Sequence, residues 1–201
     1  AAPAPAEEKL PQVEMTSTML YQLSKAEFEF KAGNWQGPYL TMLSLAQQTR
    51  DPRLARRAAE MAVAAKQADD SLAAITLWRQ LAPESEEATQ YYVGLVVLSD
   101  NIAPAEAIFR QRLQNTPAEA RGLVLFQIQQ LLLRAQDKMA GAAMLERLVA
   151  PYRNTVEGRV VMAQAALARG NKADAVREAE AALAQKPDSE VAVLTLAQAI
   201  E

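Results

Sequence analysis

The chain has 201 residues, half of them hydrophobic and 22% charged, a balance that builds a packed core and argues against disorder. Its formal charge of −3 gives no electrostatic footing for nucleic acid, which calls for a basic face. With neither cysteine nor histidine, it has no disulfide framework, no Cys or His metal ligand and no histidine to serve as a general base.

The chain opens Ala-Ala-Pro-Ala-Pro-Ala-Glu-Glu-Lys, and residues 1–15 read as a Pro/Ala-rich flexible tether. It shows no secretory apolar core. No run of about 18 apolar residues suits a bilayer span; the longest candidate, 122–133, is interrupted by Gln127, Gln129 and Gln130. From residue 16 onward the apolar pattern predicts helices in pairs. The first pair is 17–31 with 35–48, then 52–67 with 70–81 and 86–99 with 104–114. The fourth is 117–135 with 138–149, and the fifth 155–169 with 172–185. A further helix follows Pro187, with Val193, Leu196, Ala197 and Ile200 along one face. That face is expected to be partly uncovered, because the second helix of its pair is missing. The region 16–201 thus reads as five repeats plus the first helix of a truncated sixth.

Proline punctuates these pairs on a nearly fixed beat. Pro52, Pro83, Pro117, Pro151 and Pro187 stand 31, 34, 34 and 36 residues apart. A step near 34 is the mark of a tetratricopeptide helix–turn–helix array. The expected fold is therefore all-α, a right-handed α-solenoid of such repeats. Small residues recur where paired helices must approach closely: Ala163, Ala175, Ala179 and Ala182 precede Pro187 at the offsets of that pattern. The same offsets before Pro117 give Val93, Ala105, Phe109 and Arg112, and before Pro83 give Ala59, Ser71, Ile75 and Trp78, a looser match. Asp51-Pro52 and Thr116-Pro117 predict a capping side chain followed by proline at the first helical position. Gly33 and Gly170 stand where a left-handed residue ends the first helix of a pair.

No catalytic set is present: no phosphate loop, no nucleophile elbow, no zinc-protease motif. The expectation is a protein that is not an enzyme and needs no cofactor or metal. The densest basic feature is Arg50, Arg53, Arg56 and Arg57. Spaced three and four apart, Arg53, Arg56 and Arg57 share a helix stripe, and their forks suit a partner's carboxylates. The plainer alternative is a solvated face paired with Asp51 and Glu60. First helices of such pairs line the concave side of an array, which makes Glu27, Arg53, Arg56, Arg57, Glu60, Gln90 and Gln164 the candidate partner-binding residues, with Gly94 and Leu167 beside them. Their mixed polarity suits other proteins or extended peptides. Trp78, Tyr91 and Tyr92 read as core between repeats.

Met15-Thr-Ser-Thr-Met-Leu-Tyr-Gln-Leu, Thr49-Arg-Asp-Pro-Arg-Leu-Ala-Arg-Arg-Ala-Ala-Glu-Met-Ala and Leu77-Trp-Arg-Gln-Leu-Ala-Pro-Glu-Ser carry a resemblance over roughly residues 15–100. The segment resembles the N-terminal region of the tetratricopeptide-repeat outer-membrane lipoproteins of Gram-negative proteobacteria. That resemblance implies a periplasmic scaffold or adapter tethered to the outer membrane, with a carboxyl-terminal processing protease as one partner and substrates to deliver to it. Membrane contact would run only through a lipid anchor, whose cysteine this chain lacks. The rival reading is an accessory factor that binds a glycan or peptidoglycan, or assembles an envelope complex.

Overall fold

The computed structural model describes Leu10 and residues 13–201. Most of the expected tether, 1–15, lies outside the described residues. Eleven α-helices and one short 3-10 turn form the regular structure, with no strand among the described residues. In chain order they are α1 (Ser17–Lys31), α2 (Gln36–Thr49), α3 (Pro52–Ala64), α4 (Ala68–Leu81), α5 (Glu86–Leu98) and α6 (Ala103–Asn115). Then come α7 (Ala118–Leu132), α8 (Lys138–Val149), α9 (Val156–Ala168), α10 (Lys172–Gln185) and α11 (Glu190–Ile200). The fold is all-α and built of consecutive helix pairs. Every expected helix is present within about three residues of its expected ends.

The chain chemistry explains the boundaries. Asp51 caps α3, accepting from the Arg53 amide at 2.9 Å, with Pro52 at the first helical position. Thr155, Asn171 and Ser189 cap α9, α10 and α11 in the same manner. Gly33 (φ 98°) and Gly170 (φ 76°) take the left-handed turn within their pairs. Arg50 (φ 55°) and Lys66 (φ 57°) adopt the same conformation without glycine's freedom. Thr116 departs from expectation. Its hydroxyl donates backward to the Arg112 carbonyl at 2.5 Å, closing α6, and α7 starts without a side-chain cap.

Two compact units divide the chain after Leu95, within α5, so the expected single array 16–201 is met as two bodies. In the first unit α1, α2, α3 and α4 pack each on the next. Its core joins Tyr39, Met42, Ile75 and Trp78 to a seam of Ala55, Ala58, Ala59, Ala62 and Ala74. In the second unit, from α7 to α11, each helix also touches its next neighbour but one where α7 meets α9 and α9 meets α11. There Ala163, Ala175, Ala179 and Ala182 are fully or nearly fully buried. The looser offset set fills the same places: Ala59, Ser71, Ile75 and Trp78 are all 4% exposed or less. The position therefore specifies burial more than smallness, and each large side chain sealed there contributes roughly 1.5–3 kcal/mol. Tyr91 departs from the core reading: it is half exposed, with its ring centroid 6.0 Å from that of buried Trp78.

Glycine at 158 has a steric cause. A Cβ there would stand 2.0 Å from the Tyr152 carbonyl oxygen, so the start of α9 can pass this backbone only without a side chain. At the chain end, α11 buries Ala192, Thr195 and Ala199. Val193 and Ile200 are exposed, as expected, whereas Leu196 turns inward and is half-buried.

Candidate functional site

The odd-numbered helices carry the candidate residues. In the first unit, four of the seven come together. Arg57 on α3 forks onto Glu27 of α1, with Nε to Oε1 at 2.7 Å and the second terminal nitrogen to Oε2 at 2.8 Å. Its remaining terminal nitrogen reaches Glu60 at 2.9 Å. Arg56 donates to the other Glu60 oxygen at 3.3 Å and forks onto Glu87 of α5 at 2.9 and 3.1 Å. The result is one unbroken run, Glu27–Arg57–Glu60–Arg56–Glu87, linking α1, α3 and α5. Aromatic rings support both guanidinium groups from below: Arg57 lies 5.2 Å from the Phe30 centroid and Arg56 5.4 Å from that of Trp78.

The electrostatics follow from this geometry. Hydrogen bonds from Arg57 hold the Glu27 carboxyl below its ordinary value of 4.5, against an opposing push from burial. Arg57 is held more firmly charged in return. All five side chains remain between about one-third and one-half exposed, so solvent screens each pair.

Arg53 does not join the stripe. It turns back and forks onto Asp51, its nearest contact 2.7 Å. Burial pushes the Asp51 carboxyl up, but the Arg53 side-chain and backbone hydrogen bonds outweigh it, and the net direction is down. The paired alternative raised by the sequence is thus the arrangement found, with Asp51 and Glu60 as the partners. The physical reason is proximity: carboxylates one turn away and on neighbouring helices reach the arginine forks before any partner does. Free guanidinium groups ready for a foreign carboxylate are not what this stripe offers. Gln90 is exposed on α5, and Gln164 is half-buried on α9 in the other unit.

The second unit presents a different face. On α7, α9 and α11 three rows of side chains recur at a step of 34 residues: Leu123, Glu157 and Val191; Phe126, Val160 and Leu194; Gln130, Gln164 and Gln198. Within each helix these positions are three and four apart and share a face. The register is physical, because α7 packs on α9 and α9 on α11. The Cβ that Gly122 lacks would strike the Glu157 side chain at 2.4 Å, placing that residue hard against α7. Leu123, Phe126, Val191 and Leu194 are each half exposed or more, while Val160 is buried. Gln130 and Gln198 are exposed, Gln164 is half-buried, and none of the three amides bonds to another residue.

An open groove of about 550 Å³ lies in the second unit, beside Asn101, Gln136, Asp137 and Arg147. Its polar groups are already in use. Gln136 donates to the Leu98 carbonyl at 2.7 Å, and Asn101 and Asp137 cap α6 and α8. Arg147 holds Glu106, whose carboxyl is lowered chiefly by that hydrogen bond. Among the described residues no acidic cluster is arranged to hold a metal ion, and no helix is long and apolar enough to cross a membrane.

No protein-family model matches this chain, and no curated protein matches its sequence.

The sequence reading passed over Glu87, which completes the ion-pair run, and Gln130 and Gln198, which complete the amide row. Both had a signal. Glu27, Arg57 and Glu87 stand at a constant step of 30 residues, and the three glutamines at 34. Aligning repeats on their first helices would have found them.

Proposed function

We propose that this chain is a non-catalytic protein-binding scaffold of the tetratricopeptide type, working as an adapter in the bacterial envelope. The observation that carries the reading is the repetition of one exposed face on successive first helices, in register at a fixed step. Repeated helix pairs make surfaces that grip polypeptides through many small contacts. The envelope location, the lipid tether and the carboxyl-terminal processing protease as partner are supported by the resemblance of residues 15–100. In this reading the adapter brings a substrate to the protease and performs no chemistry.

The test immobilises the chain in periplasmic extract from a Gram-negative proteobacterium and identifies what is retained. The expected result is co-purification of a carboxyl-terminal processing protease, and faster cleavage of a co-retained protein when the chain is added back. If no protein is retained while a purified peptidoglycan fragment binds saturably, the polymer-accessory reading replaces it.

A further inference from the structure

Resting on the scaffold reading, the geometry of the second unit points to a ligand class: we propose that the exposed face of α7, α9 and α11 binds an extended, uncharged polypeptide segment. Gln130, Gln164 and Gln198 would hold its backbone, with apolar side chains seated on Leu123, Phe126, Val191 and Leu194.

The argument begins with the amides. A glutamine side chain offers one acceptor and two donors, which matches what a peptide backbone presents. Three such amides stand in one row on three adjacent helices, and none is used internally. An exposed glutamine is unremarkable alone. Three in register, one of them half-buried yet unbonded, make a line of unmet hydrogen-bonding capacity. Inside an apolar surround such capacity is worth filling.

The spacing fits. Packed helices lie about 8–10 Å apart. An extended chain advances about 3.3 Å per residue, so it meets one glutamine roughly every third residue. A segment of about nine residues spans the three helices. The apolar rows flank the amide row one turn away, so every third side chain of the segment falls on Leu123, Phe126 or their counterparts. Charge selects further. Glu157 is the one ionisable residue among the nine row positions, and it disfavours an acidic segment. A folded partner with a charged surface gains nothing from these rows. The ion-paired face of the first unit is unsuited to this ligand, because its groups are mutually satisfied.

The experiment uses the full 201-residue chain and a fluorescein-labelled nonapeptide, (Leu-Ser-Gly)3, blocked at both ends and read by fluorescence anisotropy. Saturable binding is expected. Gln164→Leu and Phe126→Ala should each weaken it about tenfold, the scale of one lost hydrogen bond or one apolar anchor. Leu40→Ser, on the exposed side of α2, should leave it unchanged, and circular dichroism should show all three variants folded. A peptide N-methylated at its leucines should bind at least tenfold more weakly, and (Glu-Ser-Gly)3 should not bind. Equal binding of the N-methylated peptide, or indifference to Gln164→Leu, overturns the backbone-holding role. If no peptide binds while the chain still retains folded proteins from extract, the ligand class is wrong and the scaffold reading stands. If neither binds and a peptidoglycan fragment does so in a Phe126-dependent way, both are wrong.

Discussion

The first helices of the two units use the same geometric opportunity in opposite ways. On α1, α3 and α5 the exposed rows hold ionisable groups, and those groups consume one another: Arg56 and Arg57 between them meet three carboxylates. On α7, α9 and α11 the rows hold aliphatics, one phenylalanine and amides that nothing in the protein satisfies. One face is closed by internal complementarity and the other is left open. The difference teaches that exposure and charge density are poor guides to a binding surface in a repeat protein. The arginine-rich stripe is the conspicuous feature of the sequence, yet it joins helices. The plain stripe of glutamine and leucine is the one with capacity to spare.

Four experiments press on this contrast. The largest effect should come from Trp78→Ala. Trp78 is almost fully buried and carries Arg56 above its ring, so the loss should be about 4 kcal/mol in denaturant unfolding. If the ion-pair run is held from beneath, this variant should also lose most of its sensitivity to salt.

Gly158→Ala should cost about 3 kcal/mol, since the new methyl meets a backbone oxygen that cannot move aside cheaply. Hydrogen exchange should then rise in α9 and its neighbours in the second unit while α3 and α4 stay protected.

Arg57→Met removes the centre of the ion-pair run. Because these groups are partly exposed, a loss of about 1 kcal/mol is expected, and about 1 M salt should shrink its difference from wild type. Acid should act through the same pairs. Glu27 has its folded value lowered, so its contribution is fully present above its unfolded value of 4.5 and is lost as pH falls through the lowered value. The stability gap between wild type and Glu27→Gln should therefore be flat from neutrality to about pH 5 and close by about pH 3. A gap that widened in acid would show that Glu27 is not held by Arg57 in solution.

Gln130→Leu should change stability by less than about 0.5 kcal/mol, because the amide supports nothing within the protein. A measurable destabilisation by thermal unfolding would mean that the open face is closed after all.

The proline beat was enough to place every helix, because a proline at or near a helix start both limits the preceding residue and removes a donor the first turn does not use. Glycine at 33 and 170 was equally legible, since a left-handed turn has few other solutions. The division after Leu95 was not legible: the apolar pattern runs through α5 without a break, and nothing local to the sequence marks the boundary. Thr116 was misread because a hydroxyl between two helices can serve either one, and only the packed structure shows it bonded to Arg112. The arginine stripe was placed on the correct helix, but its partners on α1 and α5 lie about 30 residues away in sequence. Distances of that kind are fixed by packing, which composition does not report.

The alanine seams carry a consequence for how such a chain can change over time. At Ala55, Ala58, Ala175, Ala179 and Ala182 no side-chain surface remains exposed, and the helices meet across a single methyl group. Serine or glycine fits there at modest cost; anything larger forces two helices apart along their whole length. Mutational drift is therefore channelled to the outward rows, where nearly any residue is compatible with the fold. A saturation scan of this chain should show narrow bands of intolerance, recurring at helical spacing, between broad permissive stretches. In such a molecule new specificities can arise by repainting the outward rows, with no rebuilding of the frame beneath.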